Sequence, residues 1–193
     1  MRNSFYRLVA SLMVAFVAAC GSGEGPDSAG VSAASITEKA TTPTSGGVAN
    51  AQPVFRFAKI SSGAYFYTGS LAERDLILRS YPDFRCEGVA FYRTSDDSGT
   101  PVFRFANLST GGYFYTANTD ERDFVLRTRS DLRYEGSTFS VSGSRTGAQP
   151  VYRLANLRNG AYLYTTSQQE VVGANNLGIW RAEGEAFVGT PPP

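Results

Sequence analysis

The chain has 193 residues, 18 basic and 17 acidic side chains, a formal charge of +1 and no histidine. Such a balance offers no basic field to collect phosphates, which argues against nucleic acid as a partner. Without histidine there is no Ser-His-Asp or Cys-His nucleophile and no imidazole-held metal, and no glycine-rich phosphate loop occurs. A protein that binds and does not catalyse is expected, with no cofactor and no metal.

In chain order, residues 1–19 read as a signal peptide. Arg2 and Arg7 give a positive start, and the apolar run Leu8 to Val17 is shorter than the roughly twenty residues a spanning helix needs. The run ends in Val17-Ala18-Ala19-Cys20-Gly21, which resembles the bacterial lipobox. That resemblance implies lipidation of Cys20 and a place on the extracytoplasmic side of the cell envelope. With no Asp after the cysteine, it implies the outer membrane in a host that has two. The alternative is an ordinary secretory signal with a chance cysteine. Setting aside the two signal arginines leaves 16 basic against 17 acidic groups. If Cys20 is lipidated, Cys86 has no partner within the chain and reads as a half-buried structural thiol.

Residues 20–50 hold the cysteine and then mostly Gly, Ser, Ala, Thr and Pro, a composition unable to bury enough surface to offset chain entropy. They are expected to form a tether with a reach on the order of 30 Å.

Residues 51–190 are expected to be one domain of three repeats, 53–100, 101–149 and 150–189. The repeats open with Pro53-Val54-Phe55-Arg56-Phe57-Ala58, Pro101-Val102-Phe103-Arg104-Phe105-Ala106 and Pro150-Val151-Tyr152-Arg153-Leu154-Ala155. Aromatic and β-branched runs predict strands there and again at Tyr65–Thr68, Tyr113–Thr116 and Tyr162–Thr165. Gly63, Gly111 and Gly160 stand at one loop position between them, as a left-handed hairpin residue would. Ser70 with Glu73, Asn118 with Glu121 and Ser167 with Glu170 have capping-box spacing and predict a short helix in each unit. The third is weakened by Gly173 and Asn175-Asn176. A third strand passes through Glu87-Gly88, Glu135-Gly136 and Glu183-Gly184. Units this small must share a core. The expected fold is mainly β with short helices under three-fold pseudo-symmetry, closed like a β-trefoil or else as a small three-bladed propeller or open stack.

Alternation puts Phe55 and Phe57 on one face of the first hairpin and Arg56, Tyr65 and Tyr67 on the other. The same holds for Arg104, Tyr113 and Tyr115, and for Arg153, Tyr162 and Tyr164. These nine residues are the candidate ligand site, since tyrosine faces stack on sugars while Arg fixes hydroxyls. The competing reading makes them an internal brace, with Arg packed on Tyr and paired with Glu87, Glu135 or Glu183. Glu73, Glu121 and Glu170 read as caps. Asp96-Asp97 reads as solvated loop charge more readily than as a calcium site.

The pattern Val-Phe/Tyr-Arg-Phe/Leu, Gly-x-Tyr-Phe/Leu-Tyr-Thr, Glu-Arg-Asp, Glu-Gly-x-x-Phe resembles a tandem repeat of unknown function in secreted bacterial and fungal proteins, often beside enzymes acting on glycans or cell walls. The resemblance implies an extracytoplasmic accessory module. Two functions follow as expectations. One is a lectin-like or envelope-glycan-binding lipoprotein. The other is a structural lipoprotein that meets envelope proteins and no small ligand.

Overall fold

Each repeat folds in one order, strand, strand, helix, strand, and the computed structural model describes residues 51–94, 99–142 and 147–193. The first repeat comprises β1 (Ala51–Lys59), β2 (Tyr65–Thr68), α1 (Leu71–Ser80) and β3 (Phe84–Thr94). The second comprises β4 (Thr100–Asn107), β5 (Tyr113–Thr116), α2 (Thr119–Thr128) and β6 (Leu132–Val141). The third comprises β7 (Gln149–Asn156), β8 (Tyr162–Thr165), α3 (Gln168–Asn176) and β9 (Trp180–Gly189). Every repeat is an antiparallel three-stranded sheet with its first strand in the middle, as in β2-β1-β3.

Local chemistry accounts for the elements. The hairpin glycines Gly63, Gly111 and Gly160 take φ of 68°, 67° and 67°, a left-handed conformation that costs a side chain energy. Ser70, Asn118 and Ser167 cap the helices by accepting the N–H of Glu73, Glu121 and Glu170. The return half of a capping box is absent. The N-cap N–H of each goes instead to the preceding threonine hydroxyl, Thr68, Thr116 or Thr165. That frees the three glutamates for other work. The third helix forms despite Gly173, because Val171 and Ala174 are buried against the sheet.

The Glu-Gly pairs mark bulges. Along β1 the partner jumps from Val89 to Phe91 and from Cys86 to Gly88, and the same shifts recur in the other units. Glu87, Glu135 and Glu183 are thus extra residues turned out of the ladder. Of the glycines opposite the arginines, Gly136 and Gly184, at φ 91° and 94°, have nothing near a would-be Cβ, so backbone angle and not space selects them.

Both faces of each sheet are covered. One face packs on the unit's own helix, as Phe55, Phe57 and Phe66 do with Ile77. The other joins a central core to which all three units contribute Val54, Val102, Val151, Phe91, Phe139 and Phe187. At the centre Tyr67, Tyr115 and Tyr164 stand edge to face with ring centres 5.4–5.6 Å apart. Phe91, Phe139 and Phe187 form a second triangle, 5.7–6.1 Å apart.

The tyrosines also close the domain. β2, β5 and β8 are edge strands whose outer N–H and C=O need partners. The Tyr115 hydroxyl accepts from Tyr67 N–H and donates to the Tyr67 carbonyl, both at 2.9 Å. Tyr164 serves Tyr115 at 2.7 and 2.9 Å, and Tyr67 serves Tyr164 at 2.9 Å twice. Each phenol stands in for the next strand of a sheet. The domain is therefore a mainly β, three-fold repeat with no closed barrel; its sheets stay separate and side chains join them. Among the described residues one backbone bridge crosses between units, Tyr92 with Thr190, tying the tail to the first repeat. No helix among them is long and apolar enough to cross a membrane.

Candidate functional site

The nine candidate residues divide by position. Tyr67, Tyr115 and Tyr164 are 1% exposed and meet no solvent. Tyr65, Tyr113 and Tyr162 are half-buried at the seams, where Tyr113 meets Phe66, Tyr162 meets Phe114 and Tyr65 meets Trp180 of the neighbouring repeat. The arginines lie at the same seams. Alternation groups each tyrosine pair on one face, yet only the first of each pair reaches a seam.

Each arginine is forked between two repeats. Arg104 donates from Nη1 and Nη2 to Glu73 at 3.0 Å and from Nε to Glu135 at 2.9 Å. Arg153 holds Glu121 at 3.0 and 2.8 Å and Glu183 at 2.8 Å. Arg56 completes the circuit with Glu170, though through Nη1 alone, and touches Glu87 at 2.9 Å as an ion pair without in-line N–H geometry. The Arg104 and Arg153 guanidinium groups also lie over Phe66 and Phe114 at 5.0 and 4.9 Å. Outside each fork a second arginine, Arg85, Arg133 or Arg181, donates to the same bulge glutamate. The role of Glu73, Glu121 and Glu170 across the seams was not read from the sequence. Their recurrence at helices whose first turns otherwise differ was the available sign.

The seam between the second and third repeats holds an open cleft of about 450 Å³. Phe114, Phe124 and Tyr162 supply aromatic surface, and Arg129, Arg153, Arg181, Glu121 and Glu183 supply charge. Phe124 leaves its ring largely in solvent, 57% exposed. Arg129, the C-cap of α2, lines the cleft opposite Tyr162 of the next repeat and forks onto Asp131 at 2.7 and 2.8 Å. Neither Phe124 nor Arg129 was singled out in the sequence. Among the described residues no group of His, Cys, Asp and Glu could hold a metal ion. Asp96 and Asp97 lie outside the described residues, as does Cys20. Cys86 packs beside Phe57 and Phe66 but carries no free thiol; it is disulfide-bonded, which corrects the expected structural thiol.

The buried ionisable groups fix the pH range of the fold. Burial pushes the phenols of Tyr67, Tyr115 and Tyr164 above the usual tyrosine range, and that of Tyr65 up to about 12. A raised folded value means their contribution is complete below the unfolded pKa of about 10 and fades above it. Burial would raise the Glu121 carboxyl, but its hydrogen bonds to Arg153 and Thr116 hold it below the usual range. Its contribution is present above about pH 4.3 and is lost as acid titrates it in the fold. Stability should thus plateau between these limits. In a titration followed at 295 nm, the three axial tyrosines should ionise only as the far-ultraviolet dichroism collapses; ionisation within an intact fold would contradict the closed ring.

The chain matches the family described as Domain of unknown function (DUF5648) over residues 36–95 and 53–190. It belongs to this family. The longer match spans the three repeats. No curated protein and no solved structure matches the chain.

Proposed function

We propose that this protein is an extracytoplasmic lipoprotein, held through Cys20, whose three-repeat domain binds envelope glycan and performs no chemistry. The observation that carries the reading is the cleft between the second and third repeats. It sets an exposed aromatic ring beside charged groups whose positions are fixed by forked ion pairs, and sugar sites combine those two elements. Anchoring rests on Val17-Ala18-Ala19-Cys20-Gly21, outside the described residues. A lipid thioether and a disulfide cannot share one sulfur, and the sequence holds two cysteines. With Cys20 lipidated, the Cys86 disulfide must therefore run to a cysteine of a second chain.

Two measurements test this. The full chain, extracted from membranes in detergent, should bind saccharides on a glycan array, and Phe124→Ala should lower that binding about tenfold, the loss of one stacking contact. Cys20→Ser should move the protein from the membrane to the soluble fraction. Retention of the variant would remove the anchor, and a blank array would remove the glycan. A second reading, docking of an envelope protein, draws on α1, which exposes Leu71, Leu76 and Leu78 with Tyr81 at its end. It is favoured if the array is blank while Leu76→Ser with Leu78→Ser alters co-purification of a defined envelope complex.

A further inference from the structure

The seam between repeats two and three carries the cleft described above, and its hydrogen-bonding inventory selects the kind of ligand. At the seam between repeats two and three, both Glu183 oxygens are occupied, one by Arg153 and one by Arg181. Both Glu121 oxygens accept from Arg153. The carboxylate oxygens facing the cleft are thus each already engaged by an arginine. Donors are not: Arg181 is 65% exposed and, among the described residues, makes one hydrogen bond from Nη2, leaving most of its five N–H groups open. Arg129 adds a second guanidinium to the same rim, with its Nε and Nη2 already held by Asp131. At the corresponding helix ends the other repeats have Tyr81 and Leu177, so neither of those seams pairs two arginines this way.

Taking the glycan reading above as its basis, we propose that this cleft is the protein's single ligand subsite and that it selects a carboxylate-bearing sugar. The Phe124 ring carries the apolar face of the sugar, and Arg181, with Arg129 beside it, receives the carboxylate. A guanidinium offers parallel N–H donors that match the two carboxylate oxygens, which an uncharged hydroxymethyl group cannot use. Three repeats thus provide one site and not three. Binding should saturate at one ligand per chain.

The test uses the full chain in detergent with an oligogalacturonide and the same oligosaccharide reduced at its carboxylates to the neutral alcohol, titrated by calorimetry. The acid should bind at least tenfold more tightly at low salt, at a ratio near one to one, with the advantage shrinking as salt screens it. Arg181→Gln should erase that advantage while leaving affinity for the neutral sugar; Arg133→Gln, the equivalent change at the first seam, should leave it intact. A melting curve verifies that Arg181→Gln is folded. Equal binding of acid and neutral sugar, or an Arg181→Gln variant that still prefers the acid, overturns the carboxylate assignment but spares the glycan reading. A ratio of three overturns the single site. Binding of neither sugar, with polyglutamate bound instead, overturns the sugar altogether.

Discussion

Replacing Tyr115 with phenylalanine should destabilise the domain by about 2–5 kcal/mol, although it removes one oxygen from a core that stays filled. That oxygen is the sole partner of the Tyr67 N–H and carbonyl on their outer side, at 2.9 Å each, in a place water does not reach. Each buried backbone group left without a partner costs about 1–3 kcal/mol. The edge-to-face packing with Tyr67 and Tyr164 survives, so the loss reports the hydrogen bonds alone. In thermal unfolding the midpoint should fall on the order of 10 °C. Tyr134→Phe, at a hydroxyl on a 40% exposed side chain, serves as the comparison and should move it little. Equal melting of the two variants would mean that the phenols fill space and do not close the ring.

Arg104→Ala should have the second large effect, about 2–4 kcal/mol. The side chain is 14% exposed and its removal strands Glu73 and Glu135 at the first seam. Breaking a fully buried pair costs about 3–5 kcal/mol; Glu73 is 30% exposed, so solvent recovers part of that. Arg104→Lys should recover less than half of the loss, since one ammonium cannot fork between two repeats and also lie flat over Phe66. Arg133→Ala removes an arginine from the same cluster at a 64% exposed position and should cost under about 1 kcal/mol. Urea unfolding of the four proteins checks the ranking. A near-native Arg104→Ala curve would show that the fork adds nothing net.

Much of this architecture could be read from local sequence. The hairpin glycines, the caps at Ser70, Asn118 and Ser167, the strands and the period of the repeats depend on neighbours within a few residues, and those neighbours are in the text of the chain. What depends on closure could not be read so. Tyr65 and Tyr67 alternate identically, yet the strand runs from the seam to the axis, so two residues along it separate a half-exposed ring from a core ring. Alternation also suggested a wet second face for each sheet; the three-fold arrangement covers it. Glu73 looked like half of a capping box because Thr68, which relieves it of that duty, acts through the turn into the helix. The cleft depended on departures from the repeat: Arg129 where the other helices end in Tyr81 and Leu177, and Phe124 where the equivalent positions hold Leu76 and Gly173.

The tyrosine circuit also sets a stoichiometry. Every repeat extends its tyrosine hydroxyl and its arginine to one neighbour and offers its tyrosine backbone and its helix-cap glutamate to the other. Nothing in a seam requires its two sides to lie on one polypeptide. A chain carrying one repeat would have both halves of the joint, and three copies would close the same axis as a homotrimer. The tandem chain then stands to that trimer as a fused and separately editable version. In it one seam can acquire Arg129 while the other two go on holding the molecule together.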